Sequence, residues 1–558
     1  MSACWCVTKV MHSRGLLKLL SSQAASMSSL ARQPKTFQPI TNTVDISSPE
    51  FLATLNANHE KEAKYTKLLE MVKQGGGSKA VQRHLQQGKL LVKDRLANLL
   101  DNVDDFLELS PTAGIGMPYG DIPSAGLVCG FGQVHGKDIL VLANDGTVKA
   151  GTVFPITLKK QLRAQQIAQE LSIPCVYIVD SGGGFLPLQA EIFVEGGKVF
   201  HNEAVMSSLG IPQIAVVCGM CTAGGAYVPT MAEEAIMVHK TGTIFLAGPP
   251  LVKAALGEVI SAEELGGATM HSSVSGCVDH FAATEEESYR ICRDVILSLD
   301  LPDVAYPTAY ADPLYSADDL AGLVTRDNPN AHQLISRIVD GSGFHEFKSQ
   351  YGKSLVTGFA SIAGYPLGII ANNVGDLTPD ASTKATHFVQ LCTQRRLPLV
   401  FLINQSESDV GNDAAVNGER LKSQARFMAA VACSDVPKVS IVTGAFEGMS
   451  VHAMGSKAMG ANFIFHWPSA SFSMHSTSHL EGVISSTHPE LKEEKIQAKL
   501  LSTSSSQYAA SNVWTDGIIL PQHTRSVLSK VLQLFKYSKS MKALAAESTS
   551  TNQINFRM

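Results

Sequence analysis

The first clear periodicity along the chain is helical. Residues 49–72 read as an amphipathic helix, with Ser47 and Ser48 ahead of Pro49 and Glu50 as a start signal. Gly75, Gly76 and Gly77 end it, and a second helical stretch is predicted over 79–100. The pattern then shifts to short apolar runs. Those at 139–143, 175–179 and 214–217 read as buried strands, with a helix over 162–171 between the first two. Strands alternating with helices predict a layered α/β fold.

The pattern is duplicated. Leu127-Val128-x-Gly130-Phe131 returns as Leu355-Val356-x-Gly358-Phe359, and Ala143-Asn144-Asp145 as Ala371-Asn372-Asn373, each 228 residues later. Ile173-Pro174-x-Val176 returns 224 residues later as Leu397-Pro398-x-Val400, and Ile211-Pro212-x-Ile214 returns 225 later as Val436-Pro437-x-Val439. Two domains of one fold are the economical reading. They are expected at 45–305 and 346–558, joined by a linker over 306–345 where Pro307, Pro313 and Pro329 fall.

Composition narrows the class. Hydrophobic residues make up 45% and charged residues 17%, so the chain is globular rather than disordered. A net charge of −5 offers no electrostatic case for nucleic acid or an anionic membrane surface, and no apolar run is long enough to span a bilayer. Residues 1–44 contain no Asp or Glu, carry Lys9, Arg14, Lys18, Arg32 and Lys35, and are rich in Ser and Ala. They read as a mitochondrial transit peptide or a disordered tail, and imply the matrix as destination. The ten cysteines are scattered. Cys218 and Cys221 form a C-x-x-C without a second pair, so buried thiols are the reading and no metal is expected.

Two predicted strands of the first half end in glycine loops, Asp180-Ser181-Gly182-Gly183-Gly184 and Cys221-Thr222-Ala223-Gly224-Gly225-Ala226. Such loops can aim backbone N–H groups at an anionic oxygen, although most Gly-Gly pairs are simply turns. The chain has no phosphate-binding G-x-x-x-x-G-K-[ST], no H-E-x-x-H and no G-x-S-x-G, and His84, His280 and His387 are isolated. Chemistry that relies on backbone donors, such as enolate formation on a thioester, fits this inventory.

Several stretches carry a family pattern. Arg83-His84-x-x-x-Gly88-Lys89-Leu90, Thr147-Val148-Lys149, Lys159-Lys160-Gln161-Leu162-Arg163 and both glycine loops resemble the carboxyltransferase (beta) subunits of biotin-dependent acyl-CoA carboxylases. Residues 242–253 resemble the methylcrotonyl-specific branch. The resemblance implies two tandem crotonase-like domains, the N-terminal one on the acyl-CoA side and the C-terminal one on the biotin side. It implies a biotin-carboxylase and biotin-carrier alpha subunit as partner, and a homo-oligomer whose active site lies between beta subunits. Biotin would be covalently held by the partner, and an acyl-CoA would be the substrate. It further implies Ala223, Gly224 and Gly225 as oxyanion donors to the thioester, with Gly182 and Gly183 adjoining and Lys160 and Arg163 near the CoA. Gly444 and Ala445 would be the matching donors of the second half, with Val410 and Gly411 in its biotin loop.

The second half departs from the family there. A glycine-rich loop has become Gln405-Ser406-Glu407-Ser408-Asp409-Val410-Gly411, and the second oxyanion loop reads Gly444-Ala445-Phe446-Glu447-Gly448-Met449-Ser450. A side chain such as Glu447 would oppose a developing enolate in a dry site. Three functions follow from the resemblance: an active carboxyltransferase with an altered biotin site, a non-catalytic paralogue that binds acyl-CoA or carboxylase subunits, and a crotonase-type thioester enzyme without biotin. The chain has neither an ATP-binding loop nor an Ala-Met-Lys-Met attachment site, so a carboxyltransferase would need a biotinylated partner.

Overall fold

Ser48 caps the first helix, α1 (Pro49–Val72), by accepting from the Phe51 N–H, and Pro49 fills its first position, where no N–H is needed. The computed structural model describes residues 37–301, 306–325, 330–374, 376–406, 414–488, 490 and 493–548. The helical stretch expected over 79–100 is two helices, α2 (Ser78–Gln86) and α3 (Val92–Leu99). Gly88 breaks it with φ +76, a backbone that favours glycine, and the His84 ring bonds Leu90 O at 3.0 Å across the break.

The first half is built on β1 (Leu107–Leu109), β2 (Leu127–Val134), β3 (Lys137–Asn144), α4 (Pro155–Leu171), β4 (Cys175–Ser181), α5 (Gln189–Ser208), β5 (Gln213–Thr222), β6 (Glu234–Val238), β7 (Thr243–Phe245), β8 (His280–Ala282) and α6 (Glu285–Ser298). Strands β1 to β3 meander antiparallel, and β3 to β6 and β8 run parallel with helices crossing between them. Every residue of β4 is buried, as a parallel strand covered on both faces requires.

The second half repeats this with β9 (His345–Glu346), β10 (Leu355–Ile362), β11 (Tyr365–Asn372), α7 (Pro379–Gln394), β12 (Leu399–Gln405), α8 (Ala414–Ala432), β13 (Lys438–Glu447), β14 (Phe463–His466) and β15 (Ser471–Ser473). The duplication extends to register. Leu127 faces Asn144 as Leu355 faces Asn372, and the break between Val179 and Ser181 recurs between Ile403 and Gln405.

The halves share one core. Leu142 and Tyr177 belong to the same buried cluster as Val400, Ile441 and Phe463, together with Leu528 and Phe535 of the last helix, α9 (Thr524–Ser548). The segment 306–345, expected as a linker, is packed instead. Leu320, Leu323, Leu334, Ile335 and Val339 are buried, because its apolar positions complete that shared core. The expected targeting segment lies outside the described residues up to 36. Residues 37–44 are part of the fold: Pro39 bridges Gly343, and Arg337 donates to Asn42 Oδ1 at 3.0 Å. Among the described residues no helix is long and apolar enough to cross a membrane.

Candidate active site

Strands β4 and β5 end side by side, and Asp180 fixes both ends from behind. Its carboxylate accepts from the Met220 N–H at 3.3 Å and fills the space that a Cβ on Gly219 would need. Lys89 Nζ lies at 2.9 Å and Arg95 at 3.3 Å, and Arg95 also pairs with Glu285 at 2.6 Å. Burial disfavours the charge on Asp180, but Arg95 and Lys89 outweigh it and hold the carboxyl below its ordinary range. This network ties α3 and α6 to the strand ends that carry the glycine loops.

After β5 the backbone turns at Ala223, with φ 54, into the short helical turn Ala223–Ala226. The opening N–H groups of such a turn have no carbonyl one turn earlier to receive them. Ala223 and Gly224 are exposed, and Cys221 Sγ pins the loop by donating to Gly225 O at 2.9 Å. Packing does not demand glycine here. A Cβ on Gly224 would meet Phe200 at 3.8 Å, and one on Gly225 would meet Ser181 at 3.9 Å, both ordinary contacts. The missing side chains leave the backbone open to a reacting group.

The neighbouring loop is a wall. Gly182 donates to Ala150 O at 3.1 Å, and Gly183 donates to Ser181 Oγ at 3.3 Å, so both N–H groups are engaged internally. Gly183, Gly184, Gly224 and Gly225 face a cavity of about 130 Å³, walled by Leu158, Tyr177, Val199, Phe200 and Val228. Among the residues lining it only Tyr177 titrates, and burial pushes its hydroxyl well above the usual tyrosine value. The first half thus presents an apolar pocket beside a loop of backbone donors, with no side-chain base near neutrality among its lining residues.

Lys160 and Arg163, expected near the CoA, do not line this pocket. Both are buried on α4, where the helix packs under the sheet. Lys160 donates to Ser124 O at 3.1 Å and Oγ at 2.8 Å. Arg163 grips Asp516 with Nε at 2.7 Å and Nη2 at 2.9 Å, and reaches Asn462 O at 2.8 Å, so it joins the two halves.

The second half corrects the register of its expected donors. Gly444 and Ala445 lie within β13, buried, and the Ala445 N–H already donates to Asn404 Oδ1 at 2.7 Å. They are the counterparts of Gly219 and Met220, as Asn404 is of Asp180. The counterpart of Ala223-Gly224-Gly225 is Gly448-Met449-Ser450, which follows the end of β13 as the first loop follows β5. Gly448 has φ 78 where Ala223 has φ 54. Met449 is 57% exposed, and Ser450 Oγ accepts from the Gln405 amide at 2.8 Å. Among the described residues Gln405 Oε1 has no hydrogen-bond partner, and it is buried. Val410 and Gly411 lie outside the described residues.

Residues 83–548 match the carboxyl transferase domain model. The chain is 44% identical over 493 residues to the mitochondrial methylcrotonoyl-CoA carboxylase beta chain of Arabidopsis thaliana, covering 83% of this chain and 84% of that protein. It is 43% identical over 487 residues to the biotin-dependent 3-methylcrotonyl-coenzyme A carboxylase beta1 subunit of Mycobacterium tuberculosis, covering 82% and 91%. The geranyl-CoA carboxylase beta subunit of P. aeruginosa superimposes with a TM-score of 0.83 at 33% identity, covering 90% of this chain and 98% of that one. The duplicated α/β architecture is the expected pair of crotonase-like folds, and the chain belongs to the carboxyl transferase family.

Proposed function

We propose that this chain is the carboxyltransferase subunit of a mitochondrial biotin-dependent carboxylase that converts 3-methylcrotonyl-CoA to 3-methylglutaconyl-CoA. The observation that carries the acyl-CoA side is the apolar cavity of about 130 Å³ beside the open Ala223–Gly225 backbone. Its walls are almost wholly apolar, which suits the hydrocarbon part of an acyl group. The Ala223 and Gly224 N–H groups stabilise the thioester oxygen as it gains charge, and Gly183 and Gly184 line the cavity beside them.

On the biotin side, the turn equivalent to Ala223–Gly225 is Gly448–Ser450, of which Met449 is exposed, and among the described residues Gln405 Oε1 is a buried acceptor without a hydrogen-bond partner. Biotin, held on a partner alpha subunit, supplies the transferable carboxyl group. The chain's own work is to polarise the thioester, exclude water and bring the two sites together. A second copy completes the site, and the mitochondrial matrix is the compartment.

The discriminating experiment reconstitutes the chain with a biotinylated alpha subunit and compares acyl-CoAs. The expected outcome is a kcat/KM for 3-methylcrotonyl-CoA at least about tenfold above those for propionyl- and geranyl-CoA. Equal or better use of another acyl-CoA would overturn the substrate assignment.

A further inference from the structure

Behind the acyl cavity lies a carboxyl group that the reaction does not use. Helix α5 walls the cavity with Ile192, Gly196, Val199 and Phe200, and Glu203 comes next on the same face, one helical turn further on. Glu203 is 1% exposed, and among the described residues neither of its carboxyl oxygens has a hydrogen-bond partner. Its surroundings have no amide donor to spare. Gln213 directs both hydrogens of its side-chain amide elsewhere, to Glu203 O at 2.7 Å and Ser207 Oγ at 2.8 Å. Gln165 directs its own to the Tyr177 hydroxyl at 3.3 Å and Val199 O at 3.4 Å. Tyr177, which lines the cavity, donates in turn to Gln213 Oε1 at 2.9 Å.

The charges nearby have the wrong sign for a carboxylate. The ionisable groups that interact with Glu203 are Glu233 ahead of β6, Cys175 and Tyr177 on β4, and Cys221 on β5. Each of these can only become negative, and among the described residues no cation joins them. Helix α4 contributes the neutral Gln165, which accepts from Asn202 at 3.2 Å. Burial first and Glu233 second push the Glu203 carboxyl well above its ordinary range. A carboxylate left in this place would be far less favourable than the neutral acid. The most direct relief is to admit water by moving α5. Of its 20 residues only Val199, Glu203 and Met206 are buried in the single chain. Gly196 and Gly197 fall inside it, where glycine weakens a helix.

We propose that Glu203 is a positioning residue that holds α5 against the sheet only as an uncharged acid, so that its ionisation opens the wall of the acyl cavity and weakens acyl-CoA binding in alkaline solution. The inference rests on the acyl-CoA reading above and adds to it a residue that does not line the cavity. The proton that leaves Glu203 passes to solvent, and no bond to the substrate is made or broken. The closed form keeps one proton that the opened form releases. Affinity is therefore complete below the transition and falls as pH rises through it.

The test is calorimetric titration of the full-length chain with 3-methylcrotonyl-CoA from about pH 7 to about pH 9, beside free CoA, which has no acyl group to fill the cavity. Wild-type affinity for the thioester is expected to fall about fivefold or more across that range, while affinity for free CoA changes much less. Glu203→Gln keeps the shape of the side chain and cannot ionise, so it should hold its affinity for the thioester throughout. A wild-type profile for the thioester as flat as that for free CoA would overturn the proposal without any variant. So would a Glu203→Gln protein with the wild-type melting temperature that loses affinity with pH as the wild type does. If the wild-type chain binds no 3-methylcrotonyl-CoA even at neutral pH, the acyl-CoA reading itself fails and takes this inference with it.

Discussion

At the residue scale the site depends on backbone that is left bare. Gly225 has room for a Cβ, so Gly225→Val should fold normally and still obstruct the oxyanion turn. Its kcat in the reconstituted carboxylase is expected to fall by about 10²–10³, with the melting temperature within a few degrees of wild type. A matching loss of stability would mean that the glycine serves packing. His466 carries a different expectation. It is fully buried on β14 and bonds Ser506 O at 3.0 Å and Thr515 Oγ1 at 2.8 Å. Burial pushes its pKa down to about 4. The unfolded chain therefore binds a proton between pH 6.5 and 4 that the folded chain refuses. Stability from this group is complete above the unfolded value and is lost as pH falls through the folded one, on the order of 3 kcal/mol in all. Thermal melting across that window should show the decline, and His466→Gln should make it shallower. The first-half loop residues were legible in the sequence because their glycines stand in an intact motif. In the second half the turn equivalent to Ala223–Gly225 begins four residues beyond Gly444, because substitutions have removed the glycines that mark the register. The spacing of 225 between Ile211 and Val436 already carries Ala223 to Gly448, so the signal was present in the repeat rather than in the motif.

At the element scale, strands were easier to read than helix ends. Buried parallel strands are continuous apolar runs, and β4 and β5 stand out for that reason. The break between α2 and α3 is weakly marked in the sequence, because one glycine, Gly88, does not by itself separate a kink from an ending. The segment 306–345 looked like a linker because prolines dominate its pattern, while its burial depends on contacts distant in sequence. Lys160 and Arg163 were legible as basic residues on a helix, but not as buried ones. Arg163 is the clearest contact between elements of the two halves. Burial disfavours the charge on Asp516, and the facing Arg163 overcomes that and holds the carboxyl below its usual range. Arg163→Leu leaves a buried carboxylate without its partner and should cost about 3–5 kcal/mol in urea unfolding. Adding Asp516→Leu should recover part of that loss, because it removes the stranded charge. A change below about 1 kcal/mol in the single variant would show that the pair contributes little.

At the scale of the molecule, a duplicated fold has kept its frame in both halves and its open glycine loop in one. The first half joins an apolar cavity to an open backbone turn. The second sets Met449 and Ser450 on an equivalent turn beside Gln405. Under the proposed function both turns are competent and the chain transfers a carboxyl group between them. The most direct measurement is acid-stable label passing from bicarbonate into 3-methylcrotonyl-CoA, with this chain, a biotinylated alpha subunit and ATP present. The expected result is multiple turnovers that require all three and disappear when biotin is blocked with avidin. An assembled complex that binds the acyl-CoA and carboxylates its biotin, yet passes no label to the thioester, would contradict the account.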